Sequence, residues 1–212
     1  MEPKSPLARH IVIDLETLSE RATAAVISLG AVALDHNLRI VATFHTPIDA
    51  GMQPARHRCP RTIEWWRGQS LAAQSASLRA IGPLSPRRAL QEFVVFVGQH
   101  ADTKDVRLWG NGSGFDCSIL EDLYNDHQIT TPWHHRNERD LRTLLELYPQ
   151  AQDVGVFEGE KHNALDDAMH EAKQLIKALQ MHEDRTHAIQ AMERAASAAA
   201  TQKIVHTPWL FE

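Results

Sequence analysis

Cysteine is scarce: Cys59 and Cys117 are the only two in 212 residues. They form no Cys-x-x-Cys pair, which argues against a thiolate zinc site, and two lone thiols suit a reducing compartment. No run of about 18 apolar residues occurs, so the sequence offers no membrane-spanning helix and no membrane partner is expected. The N-terminal Met-Glu-Pro-Lys-Ser-Pro lacks the apolar core of a signal peptide, and a cytoplasmic location is expected. Basic residues are not in excess. The net charge of −5 argues against an unspecific polyanion binder, while leaving room for a local basic groove. No Gly-x-Gly-x-x-Gly follows the first strand, which disfavours a dinucleotide-binding fold. Gly110-Asn-Gly-Ser-Gly lacks the Lys-Ser/Thr that completes a phosphate-binding P-loop.

What is present is an ordinary globular composition, 43% hydrophobic and 23% charged, in a length that suits one domain with a sizeable core. The stretch His10-Ile-Val-Ile-Asp-Leu-Glu-Thr17 stands out. Ile11, Val12 and Ile13 read as a short strand buried on both faces. Asp14 and Glu16 follow, and residues two apart on an extended chain point to the same side. Two carboxylates held close resist joint ionisation unless a cation lies between them.

Ala25–Leu34 reads as a second, largely buried strand. Asp35-His-Asn fits a tight turn, and Leu38–Ile48 reads as a third strand, giving an antiparallel meander. A short helix carries Glu64, Trp65 and Trp66. Ser85-Pro opens a longer one whose apolar face is Leu90, Phe93, Val94 and Val97. Val106–Trp109 is a further short strand. Helices follow over about 115–127 and 137–147, then a loop over 150–161, then a long helix from about Asn163 past Leu179. Strands first, then helices alternating with strands, predict an α/β protein, a mixed sheet flanked by helices.

Three more residues carry chemistry. Asp116 follows the glycine break at a helix start. His162 and Asp167 lie at the head of the last helix, in His162-Asn-Ala-Leu-Asp-Asp167. A base on a mobile loop beside a carboxylate on rigid scaffold suits metal-assisted hydrolysis. Carboxylate oxygens select hard cations, Mg²⁺ or Mn²⁺, and two such ions about 3.5–4 Å apart would clamp a scissile phosphate. Asp-x-Glu alone arises by chance in roughly half of chains this long, and His-x-Ala-x-x-Asp in a few per cent. Their joint occurrence at a strand end and a helix start is therefore the informative signal.

Taken together, Ile13-Asp14-Leu15-Glu16-Thr17, Asn111-Gly-Ser-Gly-Phe115-Asp116 and His162-Asn-Ala164-Leu-Asp-Asp167 resemble the three motifs of the DEDD exonucleases, in the branch with a histidine in the third motif. The resemblance covers roughly residues 8–182. Thr62-Ile-Glu-Trp65-Trp66 and the overall length make it similar to the small phage and bacterial group labelled exodeoxyribonuclease VIII-like or exoribonuclease-like. It implies a ribonuclease H-like fold over residues 1–182, followed by a C-terminal helical extension and tail over 183–212. It implies two Mg²⁺ or Mn²⁺ ions, the first held by Asp14, Glu16 and Asp167, the second by Asp14 with Asp116, directly or through water. His162 would deprotonate the attacking water. The partner would be a nucleic acid with a free 3′ end, losing nucleoside 5′-monophosphates. DNA, RNA and short oligonucleotides remain open as substrates, and so does a catalytically silent binding module.

The His-plus-five spacing selects Asp167 over Asp166, which is left as a first-turn charge favourable to the helix dipole. Around this core, several residues fit two roles each. Trp65 and Trp66 suit stacking on a terminal base or anchoring their helix. Leu15, Thr17 and Asn111 suit substrate contact, and Leu15 and Thr17 suit packing nearly as well. Arg56, Arg58 and Arg61, like Arg136, Arg139 and Arg142, suit phosphates or a solvated basic face. The Ala-rich stretch 188–200 and the Trp209-Leu-Phe tail suit docking on a second copy, a homodimer, or on another protein, or folding back on the domain.

Overall fold

The computed structural model of the chain describes residues 7–205, with side chains to Ser197. The N-terminal hexapeptide and the Trp209-Leu-Phe tail lie outside the described residues. Five strands form one sheet in the order β3-β2-β1-β4-β5. Strand β1 (Ala8–Thr17) is central. It pairs antiparallel with β2 (Val26–Asp35), which pairs antiparallel with β3 (Ile40–Pro47). On its other side β1 pairs parallel with β4 (Arg107–Gly110), which pairs parallel with β5 (Glu138–Asp140). The expected mixed sheet, meander plus parallel strands, is therefore present. Strand β5 replaces the start of the helix expected from 137. Its three residues, Glu-Arg-Asp, carry no apolar alternation, and only pairing with β4 makes them a strand.

Helices cover both faces. Ile11, Ile13 and Leu15 alternate onto one face, against α3 (Pro86–His100) and α4 (Asp116–Asp126), through Leu90, Phe93, Ile119 and Leu120. Val12 points the other way, against Trp109, Leu141 of α5 (Leu141–Leu147) and the alanines of α6 (Ala164–Val205). By the same alternation Asp14 and Glu16 belong to the α6 face. Ala164, Ala168 and Ala172, spaced one turn apart and fully buried, let α6 lie close to the sheet. Gly30, the cross-strand partner of Asp14, lets it lie closer still: a Cβ there would sit 2.1 Å from the carbonyl oxygen of Ala164.

Helix α6 runs unbroken across the boundary placed at residue 182. His182 still meets the domain, its Nδ1 2.7 Å from the Tyr148 hydroxyl, but from there to Ser197 the side chains are almost all exposed, so this part of the extension does not fold back on the domain. Among the described residues no helix is long and apolar enough to cross a membrane.

Arg56 is 6% exposed and does not reach outward for phosphate. Its guanidinium donates to Asp122 and Asp126 of α4 at 2.9 and 2.5 Å, and to the carbonyls of Ala24 and Ala22. It clamps the β1–β2 connection to α4. Arg56→Ala takes the donor from the Ala24 carbonyl, while Asp122 and Asp126, 36% and 50% exposed, return to water, so a cost of about 1–3 kcal/mol is expected in a urea melt. A loss below about 1 kcal/mol would show the clamp to be idle.

Candidate active site

The site lies where three segments converge at the end of β1. Asp14 and Glu16 come from the strand itself. Asp116 arrives as the first residue of α4, after the turn Gly110–Phe115. Its Oδ1 accepts from the Leu15 amide at 3.2 Å, between the two strand carboxylates. Gly110 makes this possible, since a Cβ there would meet the Asp116 Cβ at 2.8 Å. Asp167 comes from the first turn of α6, brought beside β1 by the Gly30 contact.

His162 precedes α6 in a left-handed conformation, φ 66°. Its amide donates to Asp167 Oδ2 at 2.7 Å. Its imidazole stands edge-on to the Trp65 indole, with centroids 4.8 Å apart. One ligand atom from each of Glu16, His162 and Asp167 lies within 4.8 Å of the other two. The neighbouring Asp166 lies in the first turn of α6, as expected, and does a second job there. Its carboxylate folds over Gly159 and accepts from the Glu160 amide at 2.9 Å, tying down the loop.

The two tryptophans separate. Trp66 of α1 (Pro60–Arg67) is fully buried, and its Nε1 donates to the Thr17 carbonyl at 2.9 Å. It anchors its helix in the core, and it also borders the cleft that Trp65 lines. Trp65 is 45% exposed. It borders a cleft of about 390 Å³ with Leu15, Glu16, Thr17, Arg61 and Phe115. Leu15 packs into the core and also lines this cleft. The Thr17 hydroxyl is occupied by the Ser19 carbonyl at 2.7 Å. The Asn111 carbonyl accepts from Arg142 at 3.0 Å, and its side chain lies beside Glu171.

Glu171 is the residue that sequence reasoning missed. It lies one turn after Asp167 on the same face of α6, and it is 7% exposed. The i, i+4 spacing from Asp167 was the available signal.

These carboxyls crowd one another. Burial, then Glu171, Asp116, Glu16 and Asp167 in turn, pushes Asp14 well above the ordinary carboxylate range. Burial, with Asp167 and Asp116 adding to it, raises Glu16 to about 8. Burial raises Asp116 to about 7, against the hydrogen bonds it accepts from the Leu15 and other backbone amides. Groups whose folded pKa exceeds the unfolded value hold extra protons in the native state between the two values. The stability they contribute is complete below the unfolded pKa and is lost as pH rises through the folded one. In chelator, the melting temperature is therefore expected to fall from about pH 5 to about pH 8, and a divalent cation added at the upper end should restore it. A flat profile in chelator would show these carboxyls ionising as freely as in an open chain.

Comparison with known proteins follows the same lines. The model of a family described as 3′-5′ exoribonuclease Rv2179c-like domain matches residues 9–179. An exodeoxyribonuclease of Enterobacteria phage T4 is 29% identical over 166 residues, 68% of this chain and 73% of its own. Among solved structures, a zinc-bound complex of E. coli exonuclease I with single-stranded DNA superposes with a TM-score of 0.60 at 12% identity. That match covers 89% of this chain and 43% of the exonuclease I chain. The nuclease domain of 3′hExo, a DEDDh family member bound to rAMP, superposes with a TM-score of 0.53 at 16% identity, covering 81% of this chain and 91% of that one. At such identities the two structures speak for the fold. The chain spans less than half the length of exonuclease I.

Proposed function

The chain belongs to the Rv2179c-like 3′-5′ exoribonuclease domain family, and from that premise we propose that it is a metal-dependent 3′–5′ exonuclease. The observation that carries this reading is the buried carboxylate cluster opening onto the Trp65 cleft, with His162 at the junction. The residues fit divalent cations: the donors are hard oxygens, their crowding calls for positive charge, and Glu171 Oε2 is buried with no hydrogen-bond partner. Asp14, Glu16 and Asp167 would hold one Mg²⁺ or Mn²⁺, and Asp14 with Asp116 a second. When bound, the cations supply Lewis acidity at the phosphate and lower the pKa of a bound water.

The chain's own residues do the rest. The cleft receives the 3′-terminal nucleotide, its volume suiting one base and sugar. Trp65 offers the exposed aromatic edge of that cleft, and Leu15 and Phe115 offer apolar walls. His162 takes the proton from the attacking water. The water oxygen bonds to phosphorus, the bond from phosphorus to the upstream O3′ breaks, and a nucleoside 5′-monophosphate leaves. The departing O3′ takes a proton from solvent, so the strand left upstream ends in a 3′-hydroxyl, ready for the next cycle.

A panel of 5′-labelled DNA and RNA, single- and double-stranded, with Mg²⁺, Mn²⁺ or chelator, tests this. A ladder shortening from the 3′ end and blocked by chelator is expected, and the arm that shortens fastest identifies the sugar. Internal cuts, or binding without cleavage in every arm, would overturn it.

A further inference from the structure

Of the carboxylates gathered at the site, Glu171 has no place in the ligand sets above. Its position is nevertheless the most constrained. Helix α6 is pressed onto the sheet through Gly30 and the buried alanines 164, 168 and 172, so the side chains on this face cannot swing away. Glu171 is nine-tenths buried there, among Asp14, Asp116 and Asp167. Asn111 and Arg142 lie close enough to act on its carboxylate. Its Oε2 has no donor at all. A buried carboxylate oxygen left without a partner is costly, and a bound cation would relieve that cost.

The two proposed cation positions are also unequal. The first has three carboxylates, the second only Asp14 and Asp116. Among the carboxylates Glu171 bears most strongly on Asp14, and Asp116 bears more strongly on Glu171 than Asp167 does, which places it toward the second position. We propose that Glu171 is a fifth carboxylate of the metal centre, its unpartnered oxygen completing the second cation position, directly or through a held water. This assignment rests on the metal-dependent reading given above.

The test counts bound Mn²⁺ by calorimetry in wild type, Glu171→Gln and Glu171→Asp, with melting in chelator as the check of folding. Wild type is expected to bind two ions. Glu171→Gln should keep the first at wild-type affinity and weaken the second about 10- to 100-fold, while melting no lower than wild type. Should Gln disturb folding, Glu171→Asp keeps the carboxyl but withdraws it by one methylene, and should weaken the second ion alone. Two ions bound at wild-type affinity by the folded variants would overturn the role of Glu171. If wild type itself binds no Mn²⁺, the metal-dependent reading fails, and this assignment falls with it.

Discussion

Asp14→Asn is expected to remove turnover while raising the melting temperature of the metal-free protein. Asp14 is the carboxylate common to both proposed cation positions, so its loss dismantles the site instead of trimming it. Losses on the order of 10⁴-fold are typical when a group shared by the whole catalytic unit is removed. The stability change has the opposite sign. Asp14 carries the crowding of Glu171, Asp116, Glu16 and Asp167, and Asn keeps its shape without its charge. Relief of about 1–2 kcal/mol corresponds to a rise of about 2–8 °C in a domain of this size. The measurement pairs the labelled-substrate assay with melting in chelator at about pH 8, where the crowding is greatest. Normal turnover would sink the site assignment. Lost turnover with a lower melting temperature would mean that Asp14 is structural.

Gly30→Ala is the second large effect, and no residue that touches substrate is altered. The added methyl would lie 2.1 and 2.2 Å from the Ala164 carbonyl and 2.4 Å from the Leu165 amide nitrogen. These are backbone atoms, so no side chain can step aside. Helix α6 must retreat from the sheet by about 1 Å to restore ordinary contact. Asp167 rides on the first turn of that helix, and a displacement of about 1 Å can cost on the order of 10²-fold in rate. Overpacking adds about 1–3 kcal/mol of destabilisation. Gly98→Ala is the matched control. Gly98 is exposed in α3 with nothing within 4 Å of an added Cβ, so that variant should gain about 0.5–1 kcal/mol. If Gly30→Ala retains wild-type kcat/KM, α6 does not depend on this contact for its place.

Much of this was legible in the sequence, for physical reasons that differ by residue. Strand β1 announced itself through an unbroken apolar run ending in Asp-x-Glu, and the start of α6 through the spacing from His162 to Asp167. Other features depend on the third dimension. Strand β5 has no pattern of its own and exists by pairing with Leu108–Gly110. Trp65 and Trp66 are alike in sequence, and only helix phase decides which faces the core. Arg56 looked like a surface charge until Asp122 and Asp126 came to meet it from α4. Glu171 fell beyond the last recognised motif residue. Gly30, inside a strand of otherwise apolar residues, was a signal of close backbone approach that was there to be read.

The amide of His162 and the first cation position both depend on Asp167. One oxygen of that carboxylate is committed to the loop, which leaves the other for an ion. In the proposed centre, seating of the His162 loop and loading of the first cation would therefore share one carboxylate, and any effect of the loop on ion affinity would be matched by an equal effect of the ion on the loop.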